Sequence, residues 1–112
     1  KSTYIMWHGY CQSLPKIHKY SLGQKIDNIF IDLIEAMAIA GFLPKNEKLP
    51  YVRLAIRKAD LMKILLLILW EIRGIDNTKY ANLSQPLQEI GRMLGGWHGQ
   101  ITKQNSPNRR EK

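Results

Sequence analysis

The chain has 112 residues, room for one domain with a core of its own. Its 45% hydrophobic and 23% charged content excludes a chain disordered throughout, and its longest apolar run, residues 64–70, is far short of the roughly 20 residues of a membrane span. A net charge of +8, from 17 Lys and Arg against 9 Asp and Glu, favours anionic partners, nucleic acid before anionic membrane, unless the charge serves only solubility; the single cysteine, Cys11, excludes an internal disulfide.

A first helix is expected over residues 2–13, where Tyr4, Ile5, Trp7, Tyr10 and Leu14 recur at three to four. Pro15 ends it, because the residue before a proline avoids the helical region. Residues 16–20 read as a short basic connection. Ser21-Leu22-Gly23-Gln24 then has the form of a capping box, Ser at the N-cap and Gln three residues on. The helix it would start spans about 22–41, with Ile26, Ile29, Phe30, Leu33, Met37 and Ala40 in one stripe and Asp27, Asp32 and Glu35 off it. Gly41 and Pro44 close it, and residues 42–48 form a loop.

The third helix begins between Asn46 and Pro50 and runs to Arg73, with Gly74 as its closing glycine. It is apolar on two sides. Val52, Ala55, Ile56, Ala59, Met62, Leu66 and Trp70 line one; Leu54, Leu61, Leu65, Ile68 and Ile72 line the roughly opposite one. A surface helix needs one apolar stripe, so a second stripe implies a second neighbour. Leu61, Leu65, Ile68 and Ile72 are therefore expected at an interface between copies of the chain. Arg53, Arg57, Asp60 and Glu71 share the strip between the two sides, and either a polyanion or an Arg57–Asp60 pair would offset the repulsion between the two arginines.

A fourth helix starts after Asp76-Asn77, with Leu83, Leu87, Ile90, Leu94, Trp97 and Ile101 as its stripe; Pro86 either kinks it or moves its start to near Ser84. Residues 104–112 read as a basic disordered tail. No strand pattern competes, so the expected fold is all-α, an antiparallel up-down four-helix bundle over residues 1–103.

Gly91, Gly95 and Gly99 stack on one face of the fourth helix, each costing about 1 kcal/mol against Ala. Close helix packing, within the bundle or between copies, is the favoured explanation; close approach of a nucleic-acid backbone is the other. The candidate phosphate contacts are Arg53, Arg57 and Lys58; Lys16 and Lys19 with Lys25; and Arg92 with Lys103, Arg109 and Arg110. No catalytic residues are assigned. His8, His18, His98 and Cys11 have no metal-ligand spacing, the glycines follow no strand, and no carboxylate pair carries a motif. No metal, cofactor or membrane contact is expected, and the expected location is the cytoplasm, since no signal-peptide pattern is visible.

EIGRMLGGW at 89–97, with LPK at 14–16, YSLGQKI at 20–26 and WEIRGID at 70–76, resembles the accessory variability determinant (Avd) family of diversity-generating retroelements. The similarity covers about residues 4–103. The four-helix proteins encoded by intervening sequences in bacterial large-subunit ribosomal RNA genes are similar in shape and pattern. The resemblance implies a non-catalytic, barrel-like homopentamer with a basic surface. It also implies binding to a reverse transcriptase and to template RNA or its complementary DNA, in support of mutagenic copying of a template repeat. The alternative expectation is an oligomeric structural or protein-interaction protein of the ribosomal intervening-sequence type, with no nucleic-acid role.

Overall fold

The computed structural model describes residues 1–105, and all of its regular elements there are helical. The greater part of the expected basic tail, including Arg109 and Arg110, lies outside the described residues. Four helices follow one another: α1 (Ser2–Gln12), α2 (16–42), α3 (Lys45–Glu71) and α4 (Asn77–Asn105). α3 packs along both α2 and α4, while the shorter α1 lies against parts of α2 and α4. The core between them is apolar, with Trp7, Ile26, Leu33, Met62, Leu66, Leu69, Leu83, Leu87 and Leu94 fully buried. A smaller cluster of Ala40, Val52 and Ile101, flanked by Trp97, closes the end nearest the α2–α3 turn.

The second helix departs most from expectation. It starts at Lys16 behind Pro15, so residues 16–20 are helical rather than a connection. Proline suits this position, where the missing N–H has no intrahelical partner anyway. The chain then runs through a π-helical turn, Lys19–Gly23, into Gln24–Phe42. Ser21 consequently caps nothing. Its Oγ donates to the carbonyl of Ile17 at 2.7 Å, one turn back inside the helix. Gly23 is needed in this turn because α1 ends against it: a Cβ here would lie 2.9 Å from Leu14 Cδ1 and 3.1 Å from the His18 carbonyl oxygen.

The short turn at Leu43-Pro44 returns the chain, and two contacts run along the resulting pair. Lys48 Nζ donates to the Ala40 carbonyl at 2.6 Å, and Lys58 Nζ meets Asp32 at 3.3 Å. α3 begins at Lys45, so Pro50 stands in its sixth position; it is exposed there, and its missing N–H removes one bond near the helix start.

The end of α3 is displaced by one residue from the expected glycine stop. The Gly74 N–H bonds the Leu69 carbonyl at 2.8 Å and the Arg73 N–H bonds the Trp70 carbonyl at 2.9 Å. This is a Schellman motif whose left-handed residue is Arg73, with φ at 65°, rather than Gly74. Gly74 is required for space instead, since a Cβ there would meet the Leu69 side chain at 2.4 Å. Asp76 then caps α4, its Oδ1 accepting the Lys79 N–H at 2.8 Å. α4 runs without interruption through Pro86, so the helix does not wait for Ser84. The proline's cost, about 3 kcal/mol in a helix interior, is set against the full burial of Leu83 and Leu87 on either side of it.

α1 is held by a polar contact as well as by packing. Asp27 of α2 accepts the Tyr4 hydroxyl at 3.0 Å and the Trp7 indole N–H at 3.2 Å. Trp7 is completely buried, and its N–H needs such a partner. On the other side, Asn82 of α4 donates to the Tyr10 hydroxyl at 3.2 Å.

Candidate nucleic-acid interface

The two apolar sides of α3 have different fates. Val52, Ala55, Ala59, Met62 and Leu66 are buried as expected, and Leu69 joins them. Trp70 is only half-buried. Its ring stacks on Tyr80 at 5.1 Å between centroids, and its Nε1–H donates to Asn77 Oδ1 at 2.7 Å. On the other side Leu65 is half-buried, but Leu61, Ile68 and Ile72 are 38%, 40% and 46% exposed, and Ile64 and Leu67 are exposed with them. Single exposed apolar residues are ordinary; a run of them at three and four residue intervals on one helix is not.

Arg53 and Arg57 stand on α3 at the edge of this exposed run. Both are exposed, and among the described residues neither pairs with an acid. Of the two ways to offset their repulsion, the Arg57–Asp60 pair does not form, because Asp60 pairs with Lys63 at 3.5 Å. Lys58, expected as their partner in phosphate contact, is half-buried and engaged by Asp32. Asp32 thus anchors α3 to α2 with the one lysine of the trio that faces the neighbouring helix.

The remaining basic residues are spread along the molecule. Lys16 and Lys19 lie in the first two turns of α2, far from the α2–α3 turn, whereas Arg53 lies on the third turn of α3 beyond it. At 1.5 Å per residue, the two groups are separated by roughly 25 Å along the bundle. Lys16 is exposed; Lys19 is half-buried, with its Nζ 5.8 Å from the Tyr20 ring centroid. Arg92 is exposed and bonds Glu89 at 2.7 Å. Lys16 and Lys19 therefore do not share a group with Arg53 and Arg57 within one protomer. Several copies would repeat each group around an assembly.

The glycine row of α4 does not serve packing within the chain. At Gly95 and Gly99 an added Cβ would meet nothing within 4 Å, and at Gly91 it would meet only the flexible end of Lys63, at 2.9 Å. The row is a smooth outer surface, open to a neighbour.

A cleft of about 250 Å³ between α1 and the π-helical turn gathers His8, Cys11, Gln12, Lys19, Tyr20, Gln24 and Asp27. His8, Gln12 and Asp27 among them face protein partners. His8 Nε2 is 3.1 Å from Gln12 Nε2, and Asp27 is occupied by Tyr4 and Trp7. Burial, then the nearby Asp27 carboxylate, pushes the Cys11 thiol above its ordinary pKa, with Lys19 opposing weakly. That keeps the sulfur protonated and a poor nucleophile. Burial also raises the Tyr4 hydroxyl, with Asp27 adding to it. A larger, open cleft of about 770 Å³ lies at the α3–α4 turn, lined by Trp70, Glu71, Arg73, Asn77 and Lys79 among others.

Among the described residues no three His, Cys, Asp or Glu side chains cluster as a metal site, and no helix is long and apolar enough to cross a membrane. No family model, curated protein or solved structure matches the chain.

Proposed function

We propose that the protein is a non-catalytic nucleic-acid-binding accessory factor that works as a homo-oligomer, in the manner of the Avd proteins its motifs resemble. The observation that carries this reading is the placement of two exposed arginines, Arg53 and Arg57, without an acidic partner among the described residues, beside an exposed apolar run on the same helix of a +8 chain. The apolar run supports assembly, and assembly would multiply each basic group. In this reading the helices are antiparallel and up-down, and Leu61, Leu65, Ile68 and Ile72 join protomers into a ring, a homopentamer on the family pattern. The outward arginines, with Lys16, Lys19 and Arg92 from other positions, contact phosphates of template RNA or its complementary DNA. Such contacts carry little sequence preference. The protein partner is a reverse transcriptase, and the site of action is the cytoplasm.

The open apolar side of α3 also favours a second reading, an oligomeric protein-interaction module of the ribosomal intervening-sequence type whose charge serves solubility. Mobility shift with structured RNA and with DNA at several salt concentrations separates the two. The first predicts binding that strengthens as salt falls; absence of binding even at low salt eliminates it in favour of the second. Co-purification with a co-expressed reverse transcriptase encoded beside the gene tests the protein partner.

A further inference from the structure

The α3–α4 turn carries an aromatic stack, two cations and an open cleft that the function proposed above does not use. Trp70, at the end of α3, stacks on Tyr80 of α4 with their planes 19° from parallel. Its indole N–H is held by Asn77, which fixes the orientation of the ring. Trp70 is nevertheless only half-buried, and it lines the cleft of about 770 Å³ together with Glu71, Arg73 and Lys79. Tyr80, its stacking partner, lines a second cleft of about 290 Å³ with Lys63, Ser84 and Gln88. The stack thus borders two openings, and each is lined by at least one cation.

Arg73 is the residue least explained by folding. Its backbone is left-handed, with φ at 65°, a conformation that favours glycine. Its side chain is exposed and has no hydrogen-bond or ion-pair partner among the described residues, so nothing it touches offsets the strain. Backbone outliers of this kind gather where ligands are held. Lys79 likewise has no acidic partner among the described residues, and its Nζ lies 5.4 Å from the Tyr10 ring centroid. Of the two acids in the cleft, Asp76 is engaged in capping α4, and Glu71 is exposed.

We propose that this cleft is a nucleotide site, in which a base lies against the Trp70 ring and its phosphate meets Arg73 and Lys79. A planar base extends the stack that Trp70 and Tyr80 begin, and such stacking accepts any base, because every base has a π face. A guanidinium holds a phosphate through two parallel N–H donors, and an ammonium adds a point charge. Glu71 offers an acceptor to the amino edge of the base. Arg53 and Arg57 lie about 20 Å or more back along α3, so the site needs neither them nor assembly. The nucleotide comes either free or as an unpaired position of a strand; in the second case the cleft beside Tyr80 takes a neighbouring base.

The chain has three tryptophans, so an isotope-labelled protein shows three indole N–H signals by nuclear magnetic resonance, and Trp70→Phe identifies the one from Trp70. Adenosine monophosphate and an adenine-only single strand of about eight nucleotides are titrated separately into the native protein. The Trp70 signal is expected to shift saturably, while that of the fully buried Trp7 stays in place. A shift with the monophosphate shows that a free nucleotide suffices; a shift with the strand alone assigns the site to unpaired strands. No shift with either overturns the proposal. Because the readout is the Trp70 signal, the outcome stands apart from whether Arg53 and Arg57 bind phosphates. Arg73→Gly should weaken binding roughly tenfold or more, as a charge-assisted contact is lost, without lowering the denaturation midpoint. An arginine that serves only the turn predicts the reverse, a lowered midpoint with native affinity. Lys79→Gln removes the other cation without touching the left-handed turn and should also weaken binding. Native affinity in either variant overturns the assignment.

Discussion

The two sides of α3 carry the same kinds of residue and do different work. Met62, Leu66 and Leu69 are completely enclosed by α2 and α4, while Leu61, Ile64 and Ile68, interleaved with them, face outward. Burial of the first set contributes to the stability of the single chain. Exposure of the second set costs solubility until something covers it, which is the physical ground for expecting assembly. Hydrophobicity alone therefore does not identify a core position; the helix period and the neighbours on each side do.

The largest expected effect separates the two sides directly. Leu66→Ala should destabilise the fold by about 2–5 kcal/mol in urea denaturation, whereas Ile64→Ala should change the stability of an isolated protomer by less than about 0.5 kcal/mol. Equal costs would mean that Ile64 is enclosed within the chain after all. Next in size is the anchor of the short helix. Asp27→Ala leaves the Tyr4 hydroxyl and the Trp7 N–H without partners and should cost about 1–3 kcal/mol, with near-ultraviolet circular dichroism of Trp7 changing more than helix content.

The helix end nearest the exposed side provides a change in the other direction. Arg73 occupies the left-handed position of the Schellman motif, where glycine is favoured by about 1 kcal/mol. Arg73→Gly should therefore raise the denaturation midpoint, and a lowered midpoint would show that the arginine side chain supplies a compensating contact. The smallest effect is a pH dependence. Because the folded state raises the Tyr4 pKa, its hydroxyl binds a proton more tightly folded than unfolded. The associated stability is complete below the unfolded value of about 10 and is lost as pH rises through the folded value. Denaturation at pH 8 and above pH 10 should show this decline, and Tyr4→Phe should reduce it.

Much of this arrangement was legible in the residues. The all-helical class, the buried stripes of α2, α3 and α4 and the second side of α3 follow from three-to-four spacing, a signal that burial enforces. The start of α2 was not, because Ser21 and Gln24 have the spacing of a cap while Pro15 supplies an earlier start, and local pattern does not rank the two. The glycine at 74 marked the end of α3 but not which residue turns left-handed, since its role is to clear Leu69. The glycines of α4 suggested close packing within the bundle or between copies; the open space beside Gly95 and Gly99 removes the first, because a glycine row states that something can come close and not what does. Ile31, Ile34 and Phe42 of α2 are exposed because they fall outside the stripe that Ile26, Phe30 and Leu33 define. The basic residues were readable individually. Their distribution, with Lys58 tied to Asp32 and Lys16 far from Arg53, depends on helix pairing that no local pattern encodes.

Assembly and nucleic-acid binding are joined in the proposed function, and one titration examines that joint. Fluorescence anisotropy of a labelled structured RNA should be followed with the native protein and with Leu61→Asp at several salt concentrations. The native protein is expected to bind, with log affinity falling linearly as log salt rises, and the monomeric variant to bind roughly a hundredfold more weakly at the same salt, as avidity is lost. Equal affinity of the two proteins, or no binding by the native protein at low salt, would contradict it.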